Sequence, residues 1–274
     1  MRNQVVGFMV LLAAQSGSTS LLVAQAAMSP PPYLQIFQEQ VKVGRVGAHP
    51  SIESGWPRAF AKAKIRNHYI GMTTIYGPPE AWFAAGIKSI AEIDEQNQAI
   101  EKSPGLNREL DRLAQADAAN LSGYRAVLAR YQKDLSNGPD INPAEIRVWE
   151  VLIFNVRPGH EGDFFQAAKL YQSLVQGAKV DAPWATYEVM SGMPGPVYLV
   201  FVPHKTLAEI DPATGTGAAL EKAMTQETMK KFSTLAEGYS SIESRIFSVS
   251  PEMSYPPPEW IAQDRSFWGK KSSP

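Results

Sequence analysis

Lys88-Ser89-Ile90-Ala91-Glu92-Ile93-Asp94 and Lys205-Thr206-Leu207-Ala208-Glu209-Ile210-Asp211 are the same heptapeptide with two conservative changes. A repeat inside a chain sets its architecture before any single element is assigned. Outward from this pair, other landmarks keep the same order and nearly the same offset. Gly123-Tyr124 answers Gly238-Tyr239. A Pro/Gly turn running into an apolar, aromatic segment precedes each heptapeptide, at residues 77–83 and 194–200. Val43-Gly44-Arg45-Val46-Gly47 resembles Val156-Arg157-Pro158-Gly159, with one residue inserted. The spacing predicts one small domain written twice.

The second copy is the easier to read. Residues 145–156 (EIRVWEVLIFNV) are β-branched and aromatic and predict a strand, ended by Pro158-Gly159. In residues 161–176, Phe164, Ala168, Tyr171 and Val175 fall on one helix face. Residues 184–190 and 197–202 predict two more strands around the turn at 193–196. A helical region starts at Leu207 and resumes at 227–237, and residues 241–249 form the last strand. Strand-helix-strand-strand-helix-strand is the ferredoxin-like βαββαβ order. The first copy follows the same plan: strand 34–43, a kinked helix 50–65, hairpin strands 68–76 and 81–87, helices 90–100 and 106–121, strand 125–131. Unit 1 is placed at 33–137 and unit 2 at 144–250, separated by the turn-rich segment 136–143 (SNGPDINP). A Pro/aromatic tail occupies 251–274. Its prolines oppose regular structure, and its aromatics are expected to pack on the body of the protein.

Two such units in tandem, with Val156-Arg157-Pro158-Gly159-His160-Glu161 after the first strand of a unit, resemble the dimeric α+β-barrel superfamily. That superfamily includes the NIPSNAP proteins, the antibiotic-biosynthesis monooxygenases and the stress-responsive A/B barrel proteins. The resemblance spans roughly residues 33–250. It implies an α+β fold in which two four-stranded sheets face each other as a barrel with helices outside, both sheets here coming from one chain. A four-stranded antiparallel sheet with helices on one side leaves its other face bare. A second copy would cover it.

The chain has 274 residues, 44% hydrophobic and 19% charged, enough apolar material for two small cores. A net charge of −1 and the lack of a dense basic run argue against nucleic-acid binding. There is no cysteine, which excludes disulfides, thiolate metal sites and a cysteine nucleophile. Arg2, the apolar run at 5–14 and Ala24-Gln25-Ala26 predict a signal peptide over 1–26, cut after Ala26, and a periplasmic or secreted protein. Polar residues 15–20 stop that run short of the roughly 18–20 residues a membrane span needs. No membrane span is expected in the mature chain, and nothing in the sequence fixes an oligomeric state.

No phosphate loop, Gly-x-Ser-x-Gly elbow, His-Glu-x-x-His motif or pair of histidines at i and i+4 is present, so neither a cofactor nor a metal is expected. Haem-binding variants of similar tandem folds need a histidine on a helix facing a cavity, and none of the four histidines reads that way. His49 and His160 mark equivalent turns in the two copies, and His204 follows Pro203 at a strand end. His68 shares a strand face with Ile70, Met72 and Thr74. If that face lines the barrel, His68 is a ligand or acid–base candidate; otherwise it is a strand-end residue satisfied locally. Glu150, in the middle of an apolar strand, needs water, a cavity or a partner. Gln38 and Gln40 hold similar positions in the first copy, and Tyr187 and Glu188 lie in the second strand of the second copy. These six residues are the candidate lining for a small, partly apolar ligand. The carboxylates have an alternative in pairing with Arg147, Arg66 or Arg245. Three functions follow. The principal one is an exported barrel that binds a small molecule. The second, implied by the resemblance, is a cofactor-independent monooxygenase- or isomerase-like enzyme with His68, Glu150 or a tyrosine such as Tyr69 or Tyr187 handling the proton. The third is a structural or interaction protein whose sheets simply bury each other. Fold alone does not choose among them.

Overall fold

The computed structural model describes residues 29–213 and 215–269. The expected signal peptide at 1–26 lies outside the described residues. The first half of the chain forms β1 (Tyr33–Val41), α1 (Ala48–Glu53), α2 (Gly55–Ala63), β2 (Tyr69–Tyr76), β3 (Glu80–Ile87), α3 (Ala91–Glu101), α4 (Pro104–Asp117) and β4 (Leu121–Tyr131). The second half forms β5 (Val148–Val156), α5 (Glu161–Ala178), β6 (Ala185–Ser191), β7 (Val197–His204), α6 (Gly215–Ala223), α7 (Gln226–Ala236) and β8 (Tyr239–Tyr255). Two short helices follow, α8 (Pro258–Gln263) and α9 (Arg265–Trp268). Among the described residues no helix is long and apolar enough to cross a membrane.

The strands pair in the order β4-β1-β3-β2 in the first half and β8-β5-β7-β6 in the second. β2 then pairs with β8 and β4 with β6, all antiparallel, and the eight strands close into a barrel. Alternation along each strand divides the side chains. Leu34, Ile36, Met72, Trp82, Val151, Ile153, Leu199, Phe201 and Phe247 belong to one buried cluster inside the barrel. The alternate residues face outward beneath the helices. Tyr198 and Val200 of β7 meet Phe164 and Val175 of α5, and α2 meets α4 through Ala59, Leu106 and Leu110. Helix starts follow local chemistry. Glu161 and Asp163 occupy the first turn of α5, where carboxylates oppose the helix dipole. Thr225 caps α7 by accepting from the Thr228 amide.

One end of the barrel is plugged by charge. The Arg245 guanidinium pairs with Glu80, and with Glu243 at 2.8 Å. It also lies 5.8 Å from the Trp82 ring centre. Trp82 Nε1 donates to Glu80 at 2.8 Å.

The tail departs from the sequence expectation. β8 does not stop at Val249 but runs on to Tyr255, because β2 remains alongside to pair with it, Tyr69 opposite Tyr255. The strand therefore crosses position 250. The prolines do not exclude regular structure either. Pro258 opens α8 in the first turn, where no amide hydrogen is needed. Trp268 is buried and donates to the Ala144 carbonyl at 2.9 Å. Arg147 pairs with Asp264 and stands 3.8 Å over the Phe267 ring. The tail is thereby fixed to the start of β5.

Leu199 is 0% exposed at the centre of the barrel and Ile242 is 51% exposed outside it. Leu199→Ala is expected to cost about 2–5 kcal/mol in urea unfolding. Ile242→Ala should shift the same measurement by about 0.5 kcal/mol or less.

Candidate functional site

Where β1 and β2 begin, the barrel is not filled. A cavity of about 1170 Å³ enters between the two sheets there, large enough for a small organic molecule. Leu34 and Met72 from the first half and Trp149, Tyr187 and Phe201 from the second form its inner walls. The mouth is built from residues 29–32, the loop before β2, α3, Ile141 and Pro143, and the tail residues Pro257 and Trp260. The inner residues are contributed by alternating positions that face inward. The space exists because small residues, Ala84 and Ala185, stand at this end of their strands.

His68 lies in the wall of this cavity. Its Nδ1 is 3.2 Å from the Tyr255 carbonyl oxygen. A carbonyl only accepts, so Nδ1 is the donor of this bond. Among the described residues Nε2 makes no hydrogen bond. The ring is also held by Tyr255, 4.6 Å away between centroids, and the Tyr255 hydroxyl donates to the Ile65 carbonyl at 2.9 Å. The imidazole is thus held in one orientation by its Nδ1 edge and its ring face.

Tyr187 shares the cavity, but its hydroxyl donates to the Pro31 carbonyl at 3.1 Å. Burial pushes its phenol well above the usual range, so it serves as wall rather than as proton carrier. The other sequence candidates lie elsewhere. Gln38 is on the inner face of β1 but near its far end, outside the cavity, and Gln40 follows it at the exposed rim. Glu150 faces outward, because Trp149 and Val151 take the inward positions of β5. The His204 imidazole 3.7 Å away and the Ser244 hydroxyl, which donates at 3.0 Å, hold its carboxyl below the usual carboxylate range in spite of burial. Glu188 also faces outward, pairing with Arg130 at 2.7 Å and accepting from Gln132 at 2.7 Å. The geometry therefore brings His68 and Tyr187 together and separates them from the other four. Trp149, Phe201 and Trp260 were not singled out in the sequence, since a large aromatic at a strand or helix position reads as ordinary core.

A second group of ionisable side chains lies on the other face of the first sheet. Glu39 points outward from β1 and meets His49 and Glu53 of α1 and Asp117 of α4. Burial, reinforced by Glu39 and Asp117, pushes Glu53 up to about 9. Burial and Asp117 push Glu39 up to about 7 although His49 opposes this. Tyr69, beside His68 in sequence, touches both regions. It borders the cavity, and burial together with Glu53 and Glu39 pushes its phenol well up. His160, at the equivalent turn to His49, is exposed and pairs with Asp163 at 2.7 Å. The two histidines share no partner. A signal for this group does exist in the sequence: Asp117 continues the apolar helix face of Leu106, Leu110 and Leu113, a core position for a charged residue.

No family model matches the chain, and no curated protein matches it. Solved structures do. An anthrone oxidase-like protein aligns at 10% identity and TM-score 0.52, over 80% of this chain and 92% of its own. A candidate monooxygenase from Fusobacterium nucleatum aligns at 10% identity and TM-score 0.50, over 81% of this chain and 94% of its own. A mutant chlorite dismutase from Candidatus Nitrospira defluvii aligns at 9% identity and TM-score 0.49, over 86% and 97%. At such identities the likeness is one of fold. The molecule is an α+β protein with a closed eight-stranded antiparallel barrel, the dimeric α+β-barrel fold.

Glu150 supplies the pH-dependent expectation. Its folded value lies below its ordinary one, so its stabilising contribution is complete above the ordinary carboxylate range and is lost as pH falls through the folded value. Glu150→Gln should lower stability by about 1 kcal/mol at pH 7. The gap to wild type should close on acidification below the carboxylate range, as followed by urea unfolding at a series of pH values.

Proposed function

We propose that the chain is an exported enzyme that takes a small, flat, partly apolar molecule into the barrel cavity and removes a proton from it with His68. The position of His68 carries this reading. Its imidazole stands in an aromatic-lined cavity, Nδ1 is committed to the Tyr255 carbonyl, and Nε2 is the nitrogen left to accept a proton. The walls formed by Trp149, Phe201 and Trp260 suit a planar ring. A carbon acid next to a carbonyl and aromatic rings fits such a site, since its conjugate base is delocalised over the ring system. Proton removal of this kind opens both isomerisation and direct attack of the carbanion on O2. The fold neighbours, one a candidate monooxygenase and one anthrone oxidase-like, support an oxygen-dependent variant of this chemistry over a purely structural role. Export rests on the composition of residues 1–26. The matching strand orders of the two halves and the paired heptapeptides support a fusion of two ferredoxin-like units, 33–137 and 144–250, of the antibiotic-biosynthesis-monooxygenase type.

Anthrone, a tricyclic carbon acid, is the probe for this reading. Its oxidation consumes one O2 and yields anthraquinone and one water. Wild-type protein is expected to bind anthrone, quenching tryptophan fluorescence, and to accelerate oxygen uptake. His68→Phe should retain binding and lose about 10²–10⁴-fold in kcat. Tight binding with no turnover by wild type would favour a carrier, and the absence of binding would remove the cavity from consideration. For export, the intact mass of protein recovered from the periplasm is expected to match a chain beginning at Ala27.

A further inference from the structure

The cluster of Glu39, His49, Glu53 and Asp117 is built in a way that ordinary packing does not require. Each residue offers one ligand atom, and these atoms all lie within 4.8 Å of one another. Acidic residues alone would say little, but the imidazole says more. His49 is 1% exposed. Its Nδ1 is 2.8 Å from Asp117 Oδ2, and Asp117 Oδ1 accepts from Asn120 at 2.8 Å. That contact makes Nδ1 the donor and leaves Nε2 as the ring nitrogen available to a ligand. Nε2 has no hydrogen-bond partner, and it lies 3.6 Å from Glu39 Oε2, which has none either. At 3.6 Å the two atoms are too far apart to share a proton in a hydrogen bond. The separation is close to the ~3.4 Å between two ligands that each lie about 2.1 Å from one tetrahedral ion. The Trp56 indole leans toward Glu53 and completes no hydrogen bond of its own. Of the six such orphaned buried side-chain atoms among the described residues, three therefore belong to this one locus.

The second half shows that the fold can fill this place differently. Glu39 pairs with Ala81 across β1 and β3, and Phe154 pairs with Tyr198 across β5 and β7. Ala81 and Tyr198 stand at the same offset as the two heptapeptides, so Phe154 occupies the register of Glu39. Phe164 stands in α5 four residues after His160, as Glu53 stands four after His49. Phe154 and Phe164 pack at 5.1 Å between centroids. One half carries packed rings where the other buries four ionisable groups.

We propose that Glu39, His49, Glu53 and Asp117 form a binding site for one divalent transition cation. His49 Nε2 and the carboxylates of Glu39 and Glu53 are its ligands, and Asp117 is the carboxylate that orients His49 through Nδ1. A ligating histidine whose other ring nitrogen donates to a carboxylate is the usual arrangement around protein metals. One imidazole with hard oxygen donors suits manganese(II), iron(II) or zinc over copper(I). The site lies on the helix side of the first sheet, opposite the cavity, and it does not depend on the role assigned to His68.

The test uses the full chain, treated with chelator, dialysed and titrated with MnCl2 or ZnCl2 alone. Calorimetry and elemental analysis are expected to give one ion per chain, with a rise in Tm on binding. Glu53→Gln and His49→Gln should abolish uptake, Asp117→Asn should weaken it by about 10–100-fold, and Glu188→Gln should leave it unchanged. If the His49 variant does not fold, amide NMR of wild type with substoichiometric Mn2+ decides. Broadening must centre on residue 39, residues 49–53 and residue 117. Folded wild type that takes up no ion, uptake that survives both Glu53→Gln and His49→Gln, or broadening centred elsewhere would each overturn the site.

Discussion

Two backbone ladders, β2 with β8 and β4 with β6, hold this molecule in its shape. Each joins an edge strand of one half to an edge strand of the other. Separate, each four-stranded sheet would present open edges and a bare apolar face to water. Joined, the two sheets put Ile36, Met72, Trp82, Leu199 and Phe247 out of reach of solvent. Burial of this kind contributes roughly 25 cal/mol for each Å² of apolar surface removed from water, so the closed interior is the main store of stability. The cavity lies at one margin of that closure.

The barrel's two ends differ because of side-chain size and charge. At one end, the Arg245 guanidinium pairs with Glu80 and Glu243, the Trp82 indole donates to Glu80, and together they fill the space, although Arg245 Nε makes no hydrogen bond there. At the other, Ala84 and Ala185 occupy inward positions, and Trp149 and Phe201, edge to face at 6.1 Å between ring centres, form one wall of the cavity. A charged plug of this sort is stable only while its members remain paired, so one end is closed by ionic side chains and the other is left hollow.

Much of this was legible in the chain. The strand and helix pattern pointed to an α+β barrel, and period-two alternation put His68, Ile70, Met72 and Thr74 on one strand face, of which the first three border the cavity. What alternation does not convey is which of two faces turns inward. Glu150 looked like a carboxylate trapped in an apolar strand, yet its neighbours Trp149 and Val151 claim the interior and it points toward His204 and Ser244. Gln38 faces inward as its strand position allows, but at the wrong end, and distance along a barrel axis is set by register between strands rather than by local pattern. The Glu39–His49–Glu53–Asp117 group was harder still, since its members come from three elements and meet only after folding. Its one readable sign was Asp117 in line with Leu106, Leu110 and Leu113. The tail misled for a simpler reason: proline opposes a helix interior but is tolerated in the first turn.

Pro257 and Trp260, which complete the cavity mouth, come after every strand of the barrel in the chain. That segment is joined to the barrel by side chains, Arg147 with Asp264 and Phe267 and the Trp268 indole with the Ala144 carbonyl, and it adds no rung to the eight-strand ladder. The width of the entrance and the integrity of the barrel are therefore separable: cutting the chain after Tyr255 would remove one side of the doorway and leave every ladder whole.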